Sequence, residues 1–127
     1  MNRFISMKDR AIVPINDKVT ATLRPLTFVE KEKFTQLVAD NKDLEACKYA
    51  ILTCVEDIKG LVDVKGKKVK FEKTEEFVEN LMRSEITMDL NCISQRAAIG
   101  LTDHFLREDG TAYEGVKLIQ TDSSDPK

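Results

Sequence analysis

Tryptophan is absent and histidine occurs once, as His104, in a chain of 127 residues that also holds only five glycines, three prolines and three cysteines. Each scarcity closes a class of fold or function. A zinc centre takes three or four Cys, His, Asp or Glu ligands, and one imidazole far in sequence from Cys47 and Cys54 is a poor start. The thiols Cys47, Cys54 and Cys92 are odd in number and follow no paired spacing, so buried free cysteines in a reducing compartment are expected. Little glycine and proline beside 42% hydrophobic and 33% charged residues excludes collagen-like, low-complexity and wholly disordered chains. No apolar run approaches the roughly 18 residues of a membrane-spanning helix, and Met1 to Arg10 lacks the apolar stretch of a signal peptide. A cytoplasmic protein away from membranes is expected. The net charge of -2 gives no overall pull toward nucleic acid.

What is present is enough chain for one domain with a real core. Ile12, Val13, Ile15, Val19, Ala21 and Leu23 flank Asn16-Asp17, which predicts a β-hairpin between Ala11 and Leu26. Pro14, without a donor, suits an edge strand better than a central one. Thr27 and Glu30 have capping-box spacing, so a helix is predicted from about Phe28 to Ala39. Asp43 is placed to cap a second helix, whose stripe of Leu44, Cys47, Ile51, Cys54, Val55 and Ile58 runs to Gly60. The period then shortens to two: Val62 and Val64 precede Lys65-Gly66-Lys67, and Val69 and Phe71 follow, the pattern of a second hairpin. Thr74 caps a short helix with Glu75 and Glu76 in its first turn and Phe77, Val78, Leu81 and Met82 facing inward. Ser84 is read as the cap of a last helix carrying Ile86, Leu90, Ile93, Ala97 and Leu101, closed by Gly100.

The expected fold class is therefore α+β and predominantly helical: an N-terminal β-hairpin, four short helices and a second small hairpin around one core. Residues 1–10 are expected to be a flexible N-terminal segment, 11–101 a single globular domain, and 102–127 a weakly ordered C-terminal segment ending in a disordered tail.

A catalytic set is not legible. Cys47 and Cys54 share one side of an apolar helix beside Ile51 and Val55, which makes them core residues. His104 follows a helix cap with no nucleophile near it in sequence. Glu75, Glu76 and Glu79 are explained by solvation and the helix dipole, and Lys65-Gly66-Lys67-Lys68 has only the single glycine of a turn, not a phosphate loop. No catalytic, cofactor-binding or metal-ligating residue is predicted. Charge asymmetry is the informative feature: Lys59 to Lys73 holds six lysines against two acidic residues, whereas Thr74 to Asp89 holds five acidic residues against Arg83. Lys65, Lys67, Lys68 and Lys70 on the hairpin, and Glu75, Glu76 and Glu79 on the helix beside it, are the candidate partner-binding residues. Few arginines or stacking aromatics accompany the lysines, so an acidic protein suits this surface better than nucleic acid, and a hairpin that is merely solvated accounts for the charges as well.

The strand Val19-Thr20-Ala21-Thr22-Leu23, the turn Arg24-Pro25-Leu26-Thr27, a Glu/Lys-rich helix, a Cys-containing helix and then Gly60-Leu61-Val62-Asp63-Val64-Lys65-Gly66-Lys67-Lys68-Val69-Lys70-Phe71 follow in order. This order resembles the tail assembly chaperones of long-tailed bacteriophages, over about Val13 to Leu101. The resemblance implies a protein that works without catalysis or cofactor. It would bind the tape measure protein, the tail tube protein or both in the cytoplasm of the infected cell, with self-association possible, and keep its client soluble before the tail polymerises. Two other functions suit the same small core: a structural tail-completion or connector component of the virion, and a small phage inhibitor of a host nucleic-acid enzyme.

Overall fold

Residues 4–99, 105, 107, 109 and 111–121 are described by a computed structural model. Asn16 sets the first turn: its Oδ1 accepts the amides of Lys18 and Val19 at 2.8 and 2.9 Å, and Ile15 N donates to Val19 O at 2.8 Å. The turn joins β1 (Asp9–Pro14) to β2 (Thr20–Leu23), antiparallel, with Ala11 opposite Leu23 and Val13 opposite Ala21. This is the hairpin the sequence predicts, except that β1 starts at Asp9.

Thr27 then caps α1 (Phe28–Ala39) with both halves of the predicted capping box: its side chain accepts the Glu30 amide at 3.2 Å, and Glu30 Oε1 accepts the Thr27 amide at 2.9 Å. The helix ends without glycine. Asn41 takes the left-handed conformation at φ 60°, and the bonds Lys42 N to Leu37 O and Asn41 N to Val38 O complete a Schellman closure.

The second helix departs from expectation at both ends. α2 (Asp43–Cys54) has Lys42, not Asp43, as its N-cap, and Asp43 joins Glu45 in the acidic first turn. The stripe predicted to reach Ile58 stops at Cys54, where the chain passes without a loop into β3 (Val55–Lys59). Val55 and Ile58 are buried in either conformation, but as a strand they pair with β2, with Ala21 opposite Ile58 and Leu23 opposite Val55. That pairing satisfies a row of backbone groups on β2 that a longer α2 would leave open. Leu44, placed on the apolar stripe by its spacing, is 71% exposed, and the buried face of α2 is Ala46, Ala50, Ile51 and Cys54.

α3 (Glu75–Met82) begins at Thr74, whose side chain accepts the Phe77 amide at 3.1 Å, and it buries Val78 and Leu81 as predicted. Ser84 does not cap the next helix. Its hydroxyl donates back to Asn80 O at 2.9 Å, closing α3, while the first turn of α4 (Thr87–Ile99) starts from the Ile86 carbonyl. α4 buries Leu90, Ser94 and Ala98; the side chains of Cys92, Ile93 and Ala97, and all of Gly100, Leu101 and His104, lie outside the described residues.

The last element is β4 (Lys117–Gln120), antiparallel to β1 from Asp9–Gln120 to Ile12–Lys117. It lies inside the segment expected to be weakly ordered, and the tail after Thr121 lies outside the described residues. The strand that holds Pro14 is not the edge strand its missing donor suggests but lies between β2 and β4, and Pro14 sits where the pairing with β4 stops. The Ile15 to Val19 bond turns the odd-numbered amides of β1 toward β2 and the even-numbered ones toward β4, so Pro14 lacks the donor for the next rung.

The sheet order is β3-β2-β1-β4 and every pairing is antiparallel. The protein is thus a small α+β domain with a four-stranded antiparallel sheet and four helices among the described residues, and not predominantly helical, because β3 and β4 take residues assigned to helix or to loose chain. One core cluster unites Ala11, Val13, Ala21 and Leu23 of the sheet with Phe34, Ile51, Val78 and Leu90 of the helices. Within the helical layer α2 contacts α1, α3 and α4, and Gln95 Nε2 of α4 donates to Cys47 Sγ of α2 at 3.0 Å.

Candidate functional site

The lysine-bearing segment is a built loop with a short stem. Asp63 organises it: Oδ1 accepts the amides of Lys65 and Lys67, both at 2.9 Å, while Asp63 N donates to Lys67 O and Gly66 N to Asp63 O, also at 2.9 Å. Gly66 supplies the left-handed conformation the turn needs, at φ 82°. Below the tip, Val69 N donates to Leu61 O, and a single bridge joins Val62 to Lys68, so the second hairpin exists as a bend with one rung and not as a two-stranded ladder. Phe71 closes its base. It is buried and meets Phe77 of α3 edge-on, ring centroids 5.5 Å apart and planes at 83°, which mounts the hairpin on the first turn of α3.

On this mount Lys65, Lys67, Lys68 and Lys70 are all exposed and form no ion pair among the described residues. The valines between them are exposed too: Val62 is 60% accessible and Val64 fully so. A valine left in water at the tip of a hydrogen-bonded turn is the feature the period-two pattern concealed, since alternation shows which residues share a face and not which face is covered.

The acidic candidates divide. Glu75 and Glu76 lie exposed in the first turn of α3 and form no ion pair among the described residues, whereas Glu79 accepts from Lys48 Nζ of α2 at 2.7 Å. That hydrogen bond, more than the added charge attraction, holds the Glu79 carboxyl below its ordinary range. Glu79 therefore ties α3 to α2, whereas Glu75 and Glu76 stay exposed.

Two buried arginines were not predicted as such. Arg24, 1% exposed, gives Glu30 two hydrogen bonds at 3.0 and 2.8 Å and donates to Pro25 O at 2.8 Å. Burial pushes the Glu30 carboxyl up, but the bonds from Arg24 and from the Thr27 amide, with the Arg24 charge, together bring it below its ordinary value. Arg10, 2% exposed on the sheet face opposite Ala11 and Val13, donates to Glu56 at 2.9 Å and to the carbonyls of Met7 and Asp9. Glu56 is the extra residue where β3 shifts register against β2, so this pair crosses β2 and ties β1 to β3. The spacing Arg24-x-x-Thr27-x-x-Glu30 was the available signal for the first pair; nothing local announces the second.

Of the two described thiols, Cys54 is buried and Cys47 is half-buried. Burial pushes the Cys54 thiol up to about 12, and burial followed by the charge of Asp43 raises Cys47, whose sulfur accepts from Gln95 Nε2 at 3.0 Å. Among the described residues no three His, Cys, Asp or Glu side chains gather as a metal site would need, and no helix is long and apolar enough to cross a membrane. No protein-family profile, curated protein or solved structure matches the chain significantly.

Proposed function

We propose that this protein is a tail assembly chaperone of a long-tailed bacteriophage. It binds the tape measure protein, the tail tube protein or both in the cytoplasm of the infected cell and keeps the client soluble until polymerisation. The observation that carries the reading is the preorganised hairpin, with Val64 fully exposed and, around it, four exposed lysines that form no ion pair among the described residues. A rigid loop loses little freedom on binding, exposed valines offer apolar contact, and the lysines favour an acidic partner and speed its encounter. The ordered motifs that resemble the family supply the setting. The test is co-expression with the tube and tape measure proteins encoded beside it. A soluble complex, weakened when Lys65, Lys67, Lys68 and Lys70 are replaced by Glu, supports the proposal; no complex and no gain in client solubility refutes it. Stoichiometric copies in purified particles would favour a structural virion component instead.

A further inference from the structure

We propose that the lysine hairpin and the acidic first turn of α3 form one self-complementary surface through which two copies of this chain associate about a two-fold axis. The occupant is thus a second copy, which goes beyond the client reading and does not depend on it.

Three observations carry the inference. First, the two charged groups are neighbours on a fixed mount, because Phe71 at the end of the hairpin packs edge-on against Phe77 in α3. Second, they do not neutralise each other within the molecule: Lys65, Lys67 and Lys68 on one side, and Glu72, Glu75 and Glu76 on the other, are exposed and form no ion pair among the described residues. The pairing that does occur, Glu79 with Lys48, points α3 toward α2. Third, Val62 and Val64 are exposed beside the lysines and provide apolar contact for the middle of an interface. A positive and a negative patch side by side are matched by their own copy turned through 180°, so that the positive-to-negative contact is made twice, once by each copy's positive patch. No other fold element has to move.

Sedimentation velocity on the full chain over a concentration series, at roughly 20 mM and roughly 500 mM salt, tests this, because exposed charges are screened over a much shorter range at the higher salt. A monomer-dimer equilibrium that weakens at least tenfold at high salt is expected. The charge-reversed chain Lys65→Glu, Lys67→Glu, Lys68→Glu should be monomeric, as should Glu72→Lys, Glu75→Lys, Glu76→Lys. Their mixture should form a heterodimer, and the chain carrying all six replacements should regain self-association. Circular dichroism checks that each variant folds; if the lysine replacements in α3 unfold it, Glu72→Gln, Glu75→Gln, Glu76→Gln serves in their place and should weaken the dimer. A wild-type chain that stays monomeric at low salt overturns the proposal. So does a dimer unaffected by salt, or reversed variants that still self-associate or fail to pair with each other. A chain that dimerises yet binds no tail protein keeps this inference and removes the chaperone reading; the converse result does the opposite.

Discussion

Glu30 answers to two donors at once: the Arg24 guanidinium reaches both of its oxygens, at 3.0 and 2.8 Å, and the Thr27 amide reaches Oε1 at 2.9 Å. One carboxylate thereby fixes the end of β2, the start of α1 and the Pro25-Leu26 bend between them. The motif that suggested a family is, in this chain, a structural joint.

Arg24→Ala should lower the unfolding free energy by about 2–3 kcal/mol, since it empties a buried site and takes two charge-assisted hydrogen bonds from half-buried Glu30, whereas Thr27→Ala should cost about 1 kcal/mol for the lost cap. Urea unfolding of both variants measures the difference. Equal costs would mean that the Arg24 pair adds nothing beyond an ordinary cap.

The acid limb of stability should depend on Glu30. Its carboxyl is lowered in the folded protein, so its contribution is complete above the ordinary glutamate range and disappears as pH falls through the folded value. Glu30→Gln should therefore be less stable than the parent near neutrality, with the gap narrowing as the solution is acidified below about 4. A gap that stays constant down to pH 3 would contradict this.

Gly60 and Gly66 have similar backbone angles, φ 96° and 82°, and very different surroundings. A Cβ on Gly60 would lie 1.9 Å from Lys18 O, a backbone atom, while one on Gly66 meets nothing within 4 Å. Gly66→Ala should cost about 1–2 kcal/mol, the strain of a left-handed alanine. Gly60→Ala should cost more than about 3 kcal/mol, as the β1–β2 turn and the end of β3 are forced apart. Thermal melts of the pair decide, and a larger loss at Gly66 would refute the argument.

Alkylation by iodoacetamide at pH 8, mapped by peptide mass spectrometry, should modify half-buried Cys47 well before Cys54, whose thiol is inaccessible and pushed up to about 12. Cys54 should react only as fast as the whole domain unfolds. Rapid labelling of Cys54 in the native protein would show that the α2–β3 junction opens on its own.

Legibility followed the range of the interactions. The Asn16 turn, the Thr27–Glu30 box and the turn at Lys65-Gly66-Lys67 are each built within a few residues and are legible in the sequence, although the part Asp63 plays in the last is not. β3 was hidden because Val55 and Ile58 satisfy a helical stripe as well as a strand, and only the open edge of β2 decides between them. β4 was hidden for a different reason: its four residues are all exposed and their pattern is set by pairing with β1 alone. The candidate site was visible as charge, whereas the exposure of Val62 and Val64 and the diversion of Glu79 to Lys48 required the fold.

Gln120 bonds to Asp9 across 111 positions of sequence, and β4 is the only strand that covers the outer side of β1 among the described residues. During synthesis, then, β1, β2, β3 and the four helices can come together while that side of the sheet still lacks its partner. A nascent chain halted before Lys117 would present the amides of β1 as a vacant rung row, open to a strand from any neighbouring chain. Synthesis of Lys117 to Gln120 is what retires this hazard, so a chain cut before Lys117 should show itself first as aggregation in the cell and only second as lost stability in the test tube.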